Sequence, residues 1–195
     1  MASLIDLSTF ENADYDPGGG SLPRVLWFFA GLPLLRSAIL PFSGFRVSLL
    51  RAFGAKIGKA AVIKPGVRVK YPWRLTVGDN CWIGEDVWID NLADVTIGDN
   101  VCISQGAYLC TGNHDWSDPS FGLITKPIRI ATGAWIAARA CLGPGASMSE
   151  YSVIGFGSVL LGRIPSFEIH TGNPAVFQRN RSIAAANQAS GKEVS

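Results

Sequence analysis

Charge is scarce in this 195-residue chain: Asp, Glu, Lys and Arg together supply 16% of it, and the formal net charge is +2. So small a balance, with no basic cluster and no aromatic platform, excludes nucleic acid as a partner. Histidine is scarcer still, with only His114 and His170. A histidine-rich metal site is thereby excluded, including a solenoid that holds zinc through three histidines, and no metal is expected. The four cysteines (Cys81, Cys102, Cys110, Cys141) form no C-x-x-C pair, so they read as reduced residues of a cytoplasmic protein. A long apolar run is also missing. Residues 21–53 are rich in Trp, Phe, Leu and Ile, but Pro23, Arg24, Pro33, Arg36, Pro41 and Arg46 cut them into pieces. Each piece is shorter than the ~20 residues a membrane span needs. No charged segment precedes an apolar one at the N-terminus, so no signal peptide is expected.

What the chain does have is a period of six. An aliphatic residue returns at Ile57, Ile63, Val69 and Leu75, then at Val77, Ile83, Ile89 and Val95, then at Ile97, Ile103 and Leu109. After an interruption it resumes as Ile130, Ile136, Leu142, Met148, Ile154 and Leu160. Four residues after most of these stands a second small or aliphatic residue, such as Val67, Cys81, Ala107, Ala140 or Ser158. Six is neither the 3.6 of a helix nor the two of a plain strand, and a β-sandwich of short strands does not hold one phase through so many repeats. It is the mark of a β-solenoid with one short strand per hexapeptide and both apolar positions turned inward. Thr76-Val77-Gly78-Asp79-Asn80 recurs twenty residues on as Thr96-Ile97-Gly98-Asp99-Asn100, which makes one coil of three hexapeptides plus two residues. About five coils, spaced as neighbouring strands are, give an all-β prism roughly 24 Å tall.

This divides the chain into residues 1–53, an N-terminal loop and helical cap; residues 54–162, the solenoid; and residues 163–195, a C-terminal segment and tail. Two short helices in residues 21–53 are expected to cover the open end of the solenoid, where unpaired strand edges invite aggregation. Contact of the same apolar segment with a membrane surface is the less favoured reading. Pro72 in Tyr71-Pro72-Trp73 belongs at a corner. The phase breaks over residues 111–127, an extruded loop, and inserted loops are where solenoids carry function. From Ser182 to Ser195 the residues are small and polar, which suits a weak helix or disorder.

His114 sits at the root of that loop. Imidazole is the usual base for removing a hydroxyl proton, though a loop histidine can also merely cap a turn. Trp116 and Phe121 can stack on a ligand ring or pin the loop.

The repeat, the Thr111-Gly112-Asn113-His114-Asp115 loop and the Gly172-Asn173-Pro174-Ala175 element together resemble the hexapeptide acyltransferases of the galactoside, maltose and nodulation group. Phe53-Gly54-Ala55, Tyr71-Pro72-Trp73, Ile103-Ser104-Gln105-Gly106-Ala107-Tyr108-Leu109 and the aromatic N-terminal segment are closer still to the colanic acid biosynthesis acetyltransferases. The resemblance runs from about Phe10 to Arg181. It implies a left-handed parallel β-helix, against the right-handed habit of parallel crossovers, assembled as a homotrimer with active sites between subunits. It implies acetyl-CoA as co-substrate, a carbohydrate acceptor, and direct transfer with His114 as general base. For the acceptor it implies Asn91, which also reads as a turn residue, and an acidic residue of the N-terminal segment, Asp14 or Asp16; Trp116 is added from the loop. For acetyl-CoA it implies Ala138, Gly155, Phe156, Gly172, Asn173, Pro174 and Arg179. Ala138 replaces a serine of relatives and Leu161 a threonine, so only the backbone N–H of Ala138 is left to steady a thioester oxygen. His170 reads as a rim residue. The competing expectations are a non-sugar acceptor, such as an antibiotic or an amino acid, and a non-catalytic scaffold.

Overall fold

Each hexapeptide forms one two- or three-residue strand, and the strands stack into three parallel sheets in the computed structural model, which describes residues 4–12 and 14–184. The first face stacks Lys56–Ile57, Leu75–Val77, Val95–Ile97, Ile128–Ile130, Ser147–Met148 and Arg163–Ile164. The second stacks Val62–Ile63, Trp82–Ile83, Cys102–Ile103, Trp135–Ile136, Val153–Ile154 and Glu168–Thr171. The third stacks Arg68–Val69, Trp88–Asp90, Tyr108–Cys110, Cys141–Leu142 and Val159–Leu160. The result is a left-handed β-helix of about six turns. The extra turn lies beyond residue 162, in what the sequence assigned to the C-terminal segment: Arg163–Ile164 pairs with Ser147–Met148, and Ile169 with Val153. The six-residue count misses it because only two residues separate Leu160 from the next strand, so the aliphatic phase is lost at a shortened corner.

Inward-facing Ile63, Val69, Ile83, Ile89, Ile103, Leu109, Ile136, Leu142 and Ile154 are buried in one continuous core. The small residues of the repeat fill its corners, with Val67, Val87, Ala107, Ala140, Ala146 and Ser152 wholly enclosed. At the corner between the first and second faces, the repeated Gly-Asp-Asn has a mechanical reading. The Asp79 carboxylate accepts from the Lys59 N–H of the turn before, and Asp99 accepts from the Asp79 N–H in the same way. Asn80 and Asn100 take the left-handed conformation at φ 56° that reverses the chain, a geometry asparagine tolerates better than most residues.

Three helices close the first turn: α1 (Ser21–Leu26), α2 (Leu32–Arg36), joined through a π-helical turn at Trp27–Gly31, and α3 (Ser43–Ala52). They satisfy polar groups that the first turn would otherwise expose. The Trp27 indole N–H donates to the Val69 carbonyl, the Ser43 hydroxyl accepts from the Ile63 N–H, and the Arg36 carbonyl accepts from the Gly66 N–H. Arg46, wholly buried, donates to the carbonyls of Leu35, Ser37 and Leu40 and so holds α3 against the segment before it. At the far end Val176–Asn180 folds back antiparallel on Glu168–Thr171, and the Arg181 guanidinium donates to the carbonyls of Gly133 and Tyr151. Arg181 is thus a clamp and not a phosphate ligand. Of the expected weak helix or disordered tail, residues 185–195 lie outside the described residues.

A Cβ on Gly78 would stand 2.7 Å from the Asp99 backbone nitrogen of the next turn, whereas one on Gly44 in α3 meets nothing within 4 Å. Gly78→Ala should therefore cost about 1–3 kcal/mol. Gly44→Ala should be neutral or stabilise by about 0.5–1 kcal/mol. The midpoints of urea unfolding of the two variants distinguish these outcomes.

Candidate active site

Residues 111–127 leave the prism where the third face turns back to the first. They fold as a hairpin in which Gly112–His114 pairs antiparallel with Leu123–Thr125. His114 lies opposite Leu123, half-buried. Its ring stacks on Phe121, with centroids 4.6 Å apart and planes 12° from parallel, and meets the edge of Phe10 at 5.7 Å. Phe121 is thus a pin for the histidine. Nδ1 of His114 lies 2.8 Å from the Phe121 carbonyl oxygen. A carbonyl oxygen can only accept, so Nδ1 carries the proton and the neutral ring keeps its lone pair on Nε2. Asp115 does not share this role. Its carboxylate caps its own turn through the Ser117 hydroxyl and N–H, and those bonds hold its pKa below the ordinary aspartate value. That makes it a weaker base.

The N-terminal segment is laid across this hairpin. Asp6 N–H donates to the Pro119 carbonyl, and the Tyr15 hydroxyl donates to the Leu92 carbonyl. The Tyr71-Pro72-Trp73 triplet explains how the segment is held. Pro72–Arg74 forms a tight turn, the Trp73 indole N–H donates to the Pro17 carbonyl at 2.7 Å, and Arg74 donates to the Asp16 and Pro17 carbonyls. Glu11, Asn12, Asp14 and Tyr15 then face Asp118, Ser120 and Thr125 across a polar cleft of about 380 Å³. Exposed Asp14 stands on that cleft wall, while Asp16 is turned to the Gly18 N–H. Trp116 is at the hairpin's open tip, with nothing covering it.

Asn91 is the exception. It is 0% exposed, its carbonyl accepts from the Tyr71 N–H, and its amide donates to the Tyr71 carbonyl. The structure makes it the turn residue and leaves it no surface to offer an acceptor. A side chain one coil before the histidine can face out or in, and here the Tyr71 backbone claims it.

A second cluster stands on another edge. Ala138, Gly155, Phe156 and Gly157 lie at successive turns of the corner between the second and third faces, joined by the bond from Gly157 N–H to the Ala138 carbonyl. Gly172 and Ala175 complete that corner through backbone bonds to Val159, with Asn173 and Pro174 exposed between them on a cis peptide. Among the described residues no backbone carbonyl accepts from the Ala138 N–H, and Phe156 is exposed. Arg179 lies on the returning strand opposite Ile169, and its exposed guanidinium makes no hydrogen bond or ion pair among the described residues. His170 is paired with Glu168 at 2.8 Å, and Arg163 donates to the Ser149 hydroxyl. Trp135, which the sequence did not single out, stands near this corner. It faces outward on the second face, three residues before Ala138, half-exposed, with its indole N–H on the Ser104 hydroxyl. The outward parity of Trp82 and Trp135 in their hexapeptides was the available signal.

A three-sided prism with one histidine hairpin and an open glycine-rich corner is the architecture of the hexapeptide-repeat acyltransferases. Comparison with known proteins agrees. The chain is 38% identical over 176 residues to a protein of Escherichia coli (strain K12) named as a colanic acid biosynthesis acetyltransferase, WcaF. The match covers 90% of this chain and 97% of that protein. A galactoside acetyltransferase solved in complex with coenzyme A is 25% identical at a TM-score of 0.73, covering 82% of this chain and 81% of that one. The hexapeptide-repeat acetyltransferase VCA0836 of Vibrio cholerae O1 biovar eltor, solved with acetyl-CoA, shares the fold at a TM-score of 0.75 and 22% identity, over 85% and 93% of the two chains. No family model matches the chain. The chain belongs to the colanic acid biosynthesis acetyltransferase family of WcaF and is an acyltransferase of the hexapeptide-repeat class.

Removing the buried amide of Asn91 leaves the Tyr71 N–H without its partner, while the Tyr71 carbonyl keeps the Arg74 N–H, so Asn91→Ala should cost about 1–3 kcal/mol of stability. The Michaelis constant for the acceptor should stay within about twofold, well under the 1.4 kcal/mol of a tenfold change. Thermal unfolding beside steady-state kinetics checks both halves.

Proposed function

We propose that the protein acetylates a sugar hydroxyl with acetyl-CoA, in the assembly of an exopolysaccharide, from active sites shared between the subunits of a homotrimer. The observation that carries this reading is the Nδ1 bond of His114, which leaves Nε2 free to act as a base. Acetyl-CoA supplies the acetyl thioester. His114 Nε2 accepts the proton of the acceptor hydroxyl as its oxygen attacks the thioester carbon, and returns that proton to the departing sulfur. The positive charge that the ring carries in between is stabilised by the Phe121 carbonyl at Nδ1. Asp14 and Trp116, on the cleft wall and the hairpin tip, are placed to hold the sugar, Asp14 through its hydroxyls and Trp116 by stacking on its ring.

The residues of the second cluster fit acetyl-CoA. The unpaired Arg179 guanidinium suits its phosphates, the free Ala138 N–H suits a thioester oxygen, and the open corner at Gly155, Phe156 and Gly172–Ala175 leaves room for the chain between them. On one subunit this corner and the His114 hairpin stand on different edges of the prism, with the third face between them. A neighbouring subunit can bring the two together. Outward residues favour such packing. The first face presents Lys56, Thr76, Thr96, Arg129, Ser147 and Arg163, while the second presents Val62, Trp82, Cys102 and Trp135, and the third presents Arg68, Trp88, Tyr108, Cys141 and Val159. Outward aromatic side chains on two adjacent faces, Trp82 and Trp135 on one and Trp88 and Tyr108 on the other, beside one polar face, suit a closed threefold ring.

His114→Ala should lower turnover by about 10²–10⁴-fold, with acetyl-CoA affinity by calorimetry and the unfolding temperature unchanged. A variant that keeps most of its turnover places the base elsewhere.

Arg179→Ala should raise the Michaelis constant for acetyl-CoA by about tenfold, as the loss of a charge-assisted contact implies. Mixing it with His114→Ala subunits under exchange conditions should restore activity, because some sites in the mixed trimers join an intact His114 to an intact Arg179. Mixtures no more active than their parents would place both residues in one subunit's own site.

A further inference from the structure

The helical cap covers the solenoid end with only one of its sides. Across α1, the π-helical turn and α2, the inner residues are Trp27, Gly31 and Leu35, all buried against the first turn. A helix that only caps a water-soluble prism carries polar residues on its other side. This one does not. Leu22, Val25, Leu26 and Phe29 face outward, with Leu22 67% and Phe29 79% exposed, and the linker to α3 adds Ile39 at 89% and Phe42 at 72%. Capping therefore does not account for these six side chains. Phe28 differs from them, because it turns toward the third face and lines a groove with Arg68, Val69 and Trp88.

Charge gives the patch its partner. From Pro17 to Ala55 there is no Asp, Glu or Lys, and the four ionisable side chains are all arginines: Arg24, Arg36, Arg46 and Arg51. Arg46 is spent on buried carbonyls. Arg24 and Arg51 bond neighbouring backbone oxygens from part-exposed positions, and Arg36 is exposed. A second copy of this face would bring arginine against arginine, because the cap itself holds no carboxylate and only Glu85 and Asp86 of the prism line the groove beside Arg36. An anionic lipid surface offers both an apolar interior for the six side chains and phosphates for the arginines. No helix among the described residues is long and apolar enough to cross a membrane, so the helix would lie in the plane of the interface.

We propose that the outer side of the N-terminal cap, centred on Leu22, Leu26, Phe29, Ile39 and Phe42 and flanked by Arg24, Arg36 and Arg51, docks the protein on an anionic phospholipid bilayer. The docking rests on this face alone and not on the acyl-transfer reading. If the subunits form the threefold assembly proposed above with parallel solenoids, the three caps lie on one side and bind together, which multiplies a weak affinity.

The test is flotation of the full chain with vesicles of phosphatidylcholine alone and with vesicles that also contain phosphatidylglycerol. Binding is expected to the mixed vesicles and to weaken with added salt. Phe29→Glu with Ile39→Glu, both on exposed positions, should cut the partition coefficient by about tenfold or more. Arg36→Glu should weaken binding to the mixed vesicles only. Circular dichroism and acetyl-transfer to a soluble acceptor should be unchanged in both variants, which separates failure of docking from failure of the enzyme reading. Absence of binding to either vesicle overturns the proposal. Lipid-free association of the chain that Phe29→Glu abolishes also overturns it, by assigning the patch to a second copy.

Discussion

The structure depends on one constraint: a parallel ladder stacked along an axis is satisfied everywhere except at its two ends. Within the prism each turn's N–H groups find the carbonyls of the next, as Val62 does with Cys81 and Lys64 with Ile83. Register is then enforced by side chains, because a slip of one residue would turn every inward aliphatic outward. Both ends need a device to satisfy their open edges. At the start it is the helical cap, with Trp27, Ser43 and the Arg36 carbonyl meeting the first turn. At the finish it is the returning strand Val176–Asn180 and the Arg181 clamp.

Function enters where the ladder is interrupted. The prism itself is rigid and its turns nearly equivalent, so a reactive group needs a place where the chain leaves the repeat. The hairpin at Gly112–His114 provides it. Its histidine is fixed from three sides, by Phe121 beneath the ring, Phe10 at its edge and a carbonyl at Nδ1. The N-terminal segment, tied down by Trp73 and Arg74, is part of the same construction. The open corner at Ala138 and Gly155 lies on another edge, with the third face between it and the hairpin. The helical cap combines two demands as well: its inner side closes the ladder, and its outer side is left apolar and cationic.

The six-residue phase determined the solenoid, its inward residues and the extruded loop, because a short strand per hexapeptide leaves a direct periodic trace. The sequence likewise singled out His114, since imidazole in an inserted loop is chemically conspicuous, whereas Arg179 stood out from the other arginines only through the family resemblance. It lost the sixth turn where the corner after Leu160 shortened and the period failed. Only the tertiary structure decided that Nδ1 of His114 holds the proton, because the Phe121 carbonyl reaches it through a hairpin pairing with no sequence signature. Only the fold decided that Asn91 is enclosed by the Tyr71 backbone twenty residues away, and that Arg181 serves two carbonyls and not a ligand. Only the packing of α1 and α2 separated the apolar residues that close the prism from those left facing out. Hydrophobicity is read from a sequence, but which side of a helix meets a neighbour is set by where the neighbour lies.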